Sequence, residues 1–349
     1  MTTTPDPLAA LTDPARAFIA ELPKAELHVH HVGSASPAIV ARLAERHPGT
    51  VPADPEQLAD YFRFRDFAHF IEIYLSVVDL IRTGEDVRLL TYEVAAEMAG
   101  QNIRYAELTV TPYTSIVRGI AAEAFVEAIE DARVAAERDF GIVLRWIFDI
   151  PGELGLEGAD GTLKIALDHG PPTLVGFGLG GPEIGVPRPQ FKPYFDAARA
   201  AGLHSVPHAG ETTGPATIWD AIRDLGAERI GHGTSAVADP ELLRYLAQHQ
   251  IPLEVCPTSN VATGAVADLS AHPIVAMVSA GVRVTINSDD PPMFATTLND
   301  EYAVAGRLLG LDDIGIGNLA KTAVRASFAE RPYQDRLLAE IDAYVTATG

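Results

Sequence analysis

Short apolar runs recur along the chain: Ala25–His30, Arg104–Thr111, Val143–Ile150, Leu174–Leu179, His204–His208, Arg229–His232, Leu253–Cys256 and Arg283–Asn287. Most are rich in Val, Ile, Leu or aromatic residues, and they end in Gly, Pro, Asp or His. Strands covered on both faces read this way, so the runs predict a buried parallel sheet. Between them lie stretches of helical periodicity, among them Gly84–Gln101, Ala121–Phe140, Pro189–Ala201 and Pro240–His249. Eight strand–helix repeats predict an α/β fold, a (β/α)8 TIM-type barrel with extra helices over its C-terminal mouth. A doubly wound sheet is the alternative, but it wants a glycine-rich fingerprint after the first strand, and none is there.

Residues 54–82 break the alternation. The segment is helical and aromatic, with Tyr61, Phe62, Phe64, Phe67, Phe70 and Tyr74. Long insertions at a barrel mouth are often functional, so it is read as a lid; the plainer reading is a helical hairpin packed into the core. The expected organisation is a partly ordered N-terminal extension, 1–20, followed by a single barrel domain, 21–345, with the lid insertion at about 54–82.

Charge and composition narrow the choice of partner. The 349 residues carry a formal charge of −21, which repels a polyanion and argues against nucleic acid as a partner. No uninterrupted apolar run of about eighteen residues exists, so no membrane span is expected. The single cysteine, Cys256, leaves no internal disulfide and fits a reducing compartment. The N-terminus lacks the basic start and apolar stretch of a signal peptide, so the expected location is cytoplasmic.

The chemistry gathers at the ends of the runs, where barrel active sites lie. The first run ends in His28-Val29-His30, the fifth in His208 followed by Glu211, the sixth in His232, and the eighth leads into Asp289-Asp290. Alternation along a strand points His28 and His30 the same way, inward. A lone histidine is usually a core residue. Four histidines and two aspartates at one end of successive strands predict a metal centre instead. Three neutral imidazoles and a carboxylate suit Zn²⁺. The segment Gly178–Glu183 offers no lysine to bridge two metals, so one metal per chain is expected.

Leu22–His30, His208–Glu211, Arg229–Gly233, Leu253–Asn260 and Asn287–Pro291 resemble motifs of the adenosine deaminase family, in the family's order and across most of the chain. The resemblance implies that His28, His30, His208 and Asp289 bind zinc. It also implies that Glu211 moves protons at ring nitrogen N1 and that His232 stabilises the attacking hydroxide. Asp290 would hold N7, and Gly181 would meet N3 through its backbone. The implied reaction is hydrolytic deamination of the 6-amino group of a small adenine-type nucleoside, releasing ammonia. Attack at C6 breaks aromaticity unless N1 takes a proton. Glu211 then needs a raised pKa, which apolar surroundings provide.

Three positions depart from the family pattern. Val32 stands where an aspartate normally meets the ribose 5′-hydroxyl, Thr109 replaces an arginine, and Gly178 replaces an aspartate. An apolar Val32 suits a nucleoside whose 5′ position carries carbon or sulfur. The closest resemblance is to members acting on 6-aminodeoxyfutalosine in menaquinone biosynthesis, whose substrate bears a 5′-linked carboxyphenyl ketone. Phe67, Phe70, Arg63 and Arg65 of the aromatic segment are the expected contacts for that group. The alternatives are an adenosine deaminase with a rearranged ribose site and a non-catalytic metal- or nucleoside-binding relative. Retention of both Glu211 and His232 argues against the last.

Overall fold

Each apolar run forms a strand: β1 (Lys24–His30), β2 (Ile103–Val110), β3 (Val143–Pro151), β4 (Leu174–Gly180), β5 (His204–Ala209), β6 (Ile230–His232), β7 (Leu253–Val255) and β8 (Val284–Ile286). The computed structural model describes residues 13–65 and 67–348, and residues 1–12 of the expected extension lie outside the described residues. Strand order follows chain order from β1 to β8, and every pairing is parallel. The barrel closes where Val29 bridges Asp289, with the Asp289 N–H donating to the His28 carbonyl (3.1 Å) and the His30 N–H to the Asp289 carbonyl (2.8 Å). The Asn287 side-chain oxygen accepts the N–H groups of Leu27 and His28 at 3.0 and 3.2 Å, extending that seam. Barrel closure and the predicted metal ligands therefore share one stretch of backbone.

The helices follow the periodicity. Gly84–Gly100 starts on a reciprocal cap between Thr83 and Asp86, and Ala122–Phe140 stops at Gly141, whose φ of 74° lies in the left-handed region that favours glycine. The expected stretch 189–201 divides into a short 3₁₀ turn, Arg188–Phe191, and a helix, Lys192–Ala200. Pro193, having no N–H to donate, suits the first turn of the helix rather than its interior.

The inserted segment folds as helices Pro55–Tyr61 and Phe67–Val78, the first capped by Asp54, whose carboxylate accepts the N–H groups of Glu56 and Gln57. Leu58 and Phe62 go into the core, while Phe64, Phe70 and Phe294 form an aromatic cluster with ring centroids 5.1–5.9 Å apart. The segment thus packs into the core, as the plainer reading expected. Ahead of β1, helix Asp13–Glu21 buries Phe18 and Ile19, and Tyr344 of the last helix donates to the Phe18 carbonyl (2.9 Å). No helix among the described residues is long and apolar enough to cross a membrane.

Candidate active site

The C-terminal ends of β1, β5 and β8 bring three imidazoles and one carboxylate together. Ligand atoms of His28, His30, His208 and Asp289 all lie within 4.8 Å of one another. The Nε2 atoms of His30 and His208 face each other at 3.2 Å, and Asp289 Oδ1 stands 3.2 Å from His30 Nε2 and 3.5 Å from His28 Nε2. Two such nitrogens confront lone pair with lone pair unless a proton or metal lies between them. His28 Nε2 is buried with no hydrogen-bond partner, because the ring spends Nδ1 on Glu254 Oε2 at 2.9 Å. Burial alone would keep these rings neutral. Asp289 and Glu254 nonetheless lift His28 to about 10, and Asp290 and Asp289 lift His30 to about 9. The carboxylates therefore hold this point at a potential that welcomes positive charge, as a divalent cation requires. Burial and the neighbouring rings keep His208 far below its ordinary value, so it is neutral and ready to ligate. A second group, His28, His232, Cys256 and Asp289, is equally close. Burial pushes the Cys256 thiol well up, however, and its Sγ is turned to the Glu254 carbonyl, which favours the set of three histidines and Asp289.

Buried partners fix the clustered side chains. Arg229 Nε donates to Glu254 Oε1 (2.5 Å), and its other nitrogens meet Glu107 and the Ala326 carbonyl, with the Phe328 ring 3.9 Å away. A carboxylate on one ring nitrogen of a histidine sets its tautomer and ring angle, and Glu254 does this for His28, leaving Nε2 turned to the cluster. Ser259 donates to Asp289 Oδ2 (2.6 Å). His232 and Asp289 both have positive φ, 61° and 66°, a conformation costing L-residues about 1–3 kcal/mol and found mostly where surrounding structure imposes it.

Proton positions at His232 follow from a chain of three contacts. The Ile274 N–H donates to His272 Nδ1 (3.2 Å), so the proton of neutral His272 is on Nε2, facing Asn260 Oδ1 (3.3 Å). The Asn260 amide then turns its NH₂ to His232 Nδ1 (3.1 Å), leaving the His232 proton on Nε2. That N–H points into the site, 3.6 Å from Glu211 Oε2 and 4.0 Å from Asp289 Oδ2. Burial holds His232 down at about 4 and His272 at about 4, so both stay neutral. Asn260→Asp would accept from both rings and move the His232 proton to Nδ1. The expected result is a fall in kcat of at least about tenfold with KM and metal content kept. Wild-type kcat in that variant refutes the assigned tautomer.

Glu211 follows β5 and receives the Thr263 hydroxyl at 3.1 Å. Burial, then the charges of Asp289 and Glu183, raise it to about 8. The loop that carries it is tied by Glu183 Oε2, which accepts both N–H and hydroxyl of Thr212 and of Thr213 at 2.8–3.3 Å. Asp290 is also raised, by burial and by Asp289 beside it. Its side chain fills the space over Gly33, where a Cβ would lie 1.6 Å from Asp290 Oδ1.

These groups form one wall of a cavity of about 250 Å³. Gly181, with φ +74°, joins them, and Phe70, Ile71, Tyr74 and Leu75 of the inserted segment face them. A wider, more open groove of about 560 Å³ shares Glu211 and Thr263 but lacks the imidazole cluster.

Of the residues expected to touch the 5′ group, only Phe70 is at the cavity. Arg63 is exposed and pairs with Asp60 at 3.4 Å, and Arg65 is exposed too. Phe64 between them packs against Phe70 and Phe294 while its neighbours face solvent. Val32 is half-buried in the turn after β1 and packs on the core, away from the cavity wall. The side chain of Phe67 lies outside the described residues. Asp149, Glu183, Glu254 and Asn260 were not singled out from the sequence. Asp149 and Glu254 had a readable signal, a carboxylate near the C-terminal end of a barrel strand, whereas Glu183 and Asn260 carry no such mark.

Fold and site together define a barrel hydrolase of the deaminase type, and the chain belongs to the adenosine deaminase family, whose model matches residues 23–344. It is 68% identical over 334 residues to the aminodeoxyfutalosine deaminase of Streptomyces avermitilis, covering 95% of this chain and 93% of that one. To the aminodeoxyfutalosine deaminase of Streptomyces coelicolor it is 69% identical, covering 95% and 86%. Among solved structures, the adenine deaminase of Arthrobacter aurescens matches with a TM-score of 0.88 at 31% identity, covering 93% of this chain and 99% of that one.

Proposed function

We propose that this protein hydrolyses the 6-amino group of 6-aminodeoxyfutalosine, using one zinc ion held by His28, His30, His208 and Asp289. The observation that carries the substrate is identity of 68–69% over 95% of the chain to two aminodeoxyfutalosine deaminases. The metal reading is supported by the unpartnered His28 Nε2 and the facing Nε2 atoms of His30 and His208. Zinc in such a site supplies Lewis acidity that lowers the pKa of a coordinated water to about 7.

The chain's own groups divide the remaining work. Glu211, raised to about 8, is a carboxylic acid at neutral pH and hands its proton to N1 as C6 is attacked. His232, a neutral Nε2–H donor, stabilises negative charge on the oxygen that adds to C6. N7 of the purine only accepts, so Asp290 must be protonated to hold it, and its raised pKa favours that form. Gly181 brings its backbone N–H to N3. Phe70, Ile71, Tyr74 and Leu75, a lid in this reading, shield the base from water. The lining residues described include no lysine or arginine, so the carboxylate of the 5′ group extends beyond the cavity mouth.

Ammonia release from adenine, adenosine, methylthioadenosine and 6-aminodeoxyfutalosine, measured side by side, tests the proposal. The last is expected to exceed adenosine in kcat/KM by about a hundredfold or more. Equal or reversed efficiencies would return the protein to adenosine or adenine as substrate.

A further inference from the structure

The cavity wall carries, besides the imidazoles, an acid that the reaction does not use. Asp149, on β3, is 3% exposed and lines the cavity, and its Oδ1 has no hydrogen-bond partner. A buried carboxylate oxygen without a donor is costly, about 1–3 kcal/mol or more, and native structures rarely leave one unless a ligand or water completes it.

The neighbouring strand is shaped around this side chain. A Cβ on Gly178 would stand 2.5 Å from Asp149 Oδ1, and a Cβ on Gly180 would stand 2.5 Å from Asp149 Oδ2. Any other residue at either position would displace the carboxylate. Two glycines in a barrel strand also weaken it, and β4 is otherwise well buried. A notch kept open on both sides of one carboxylate points to a use for that carboxylate.

The surroundings define the ligand chemistry. Glu153, Thr111, Thr114 and Tyr74 share this part of the lining with Asp149. The wall therefore offers acceptors and hydroxyls and no lysine or arginine, which suits a hydroxylated neutral group and repels an anion. Val32, in the turn after β1, presents no carboxylate and is absent from the wall.

We propose that Asp149, held in the glycine notch of β4, is a substrate-binding residue that accepts hydrogen bonds from the sugar hydroxyls of the nucleoside. The inference rests on the adenine-nucleoside reading above and adds to it the origin of sugar recognition: strand β3, not the segment after β1.

Equilibrium binding of adenosine and its 2′-deoxy and 3′-deoxy forms to the metal-loaded protein tests this, alongside KM and kcat wherever turnover is seen. Wild type is expected to bind adenosine about tenfold or more tightly than at least one deoxy form, the order of effect when the partner of a buried acceptor is removed. In D149N and D149A that preference is expected to shrink to within about threefold, with metal content unchanged and the loss falling on KM rather than kcat. Gly178→Ala, which pushes the carboxylate out of its notch, should copy the phenotype without altering residue 149. Wild type that binds the ribose and deoxy forms alike overturns the proposal, as does a preference that survives in D149A. Loss of metal or an equal fall in kcat on every substrate also overturns it, making Asp149 a support for the histidines. Wild type that discriminates in binding but deaminates no adenine nucleoside leaves the subsite standing and overturns the reaction instead.

Discussion

Replacing His208 by alanine is expected to abolish deamination and leave the purified protein with far less than one zinc per chain. His208 Nε2 stands 3.2 Å from His30 Nε2, and burial with the adjacent rings keeps His208 neutral, so its lone pair is available to a cation. Alanine removes one of the four proposed ligands and leaves three donors on β1 and after β8, too few to close a tetrahedral site. The vacated space lies beside Gly231, where even a Cβ would come within 3.2 Å of the His208 ring, so no neighbour is built to fill it. Two measurements check this: zinc by elemental analysis, and the melting temperature with and without added zinc. Because a bound metal stabilises the folded state by mass action, the wild type should melt higher with zinc than after chelation. The variant should show little of that difference. Full occupancy with normal turnover would falsify the ligand assignment.

The barrel was legible because its signal is distributed. Eight apolar runs each predict a strand, and each observed strand falls within one residue of its run. Buried parallel strands need apolar side chains on both faces, so the constraint is written into every position. The cluster of His28, His30, His208 and Asp289 was legible for a related reason: closely spaced imidazoles such as His28 and His30 at strand ends have few structural explanations. The 5′ contacts were not legible. Arg63 and Arg65 lie in an irregular link between two helices, where no period fixes which side chains face inward. Val32 was placed by analogy with an aspartate, yet the backbone turns after His30, with the Ala35 N–H donating to the Val32 carbonyl, and carries the side chain onto the core. The chain Ile274–His272–Asn260–His232 was invisible for another reason. It depends on which nitrogen carries a proton, and that is decided by contacts between residues up to 28 positions apart, as from 232 to 260.

Glu211→Gln is expected to lower kcat by at least about a hundredfold while zinc content and KM stay close to wild type. The side chain is outside the proposed ligand set, so the metal has no reason to leave. Glutamine has the same shape, can still accept the Thr263 hydroxyl through its oxygen, and can donate an N–H to N1 in the ground state. It cannot deliver the proton as C6 becomes tetrahedral. An interaction that exists only in the transition state lowers kcat and kcat/KM together, and that pattern separates proton transfer from binding. Stability provides an independent check. The raised pKa of Glu211 records the burial cost of its charged form, a cost that grows as pH rises from the ordinary carboxylate range to about 8 and is constant above it. A neutral amide carries no such cost, so the metal-free variant should melt no lower than metal-free wild type, and its advantage should widen with rising pH up to about 8. Loss of folding in E211Q would instead mark the carboxylate as structural. A kcat within tenfold of wild type would show that another group protonates N1, and the raised pKa of Asp290 would make that residue the one to examine.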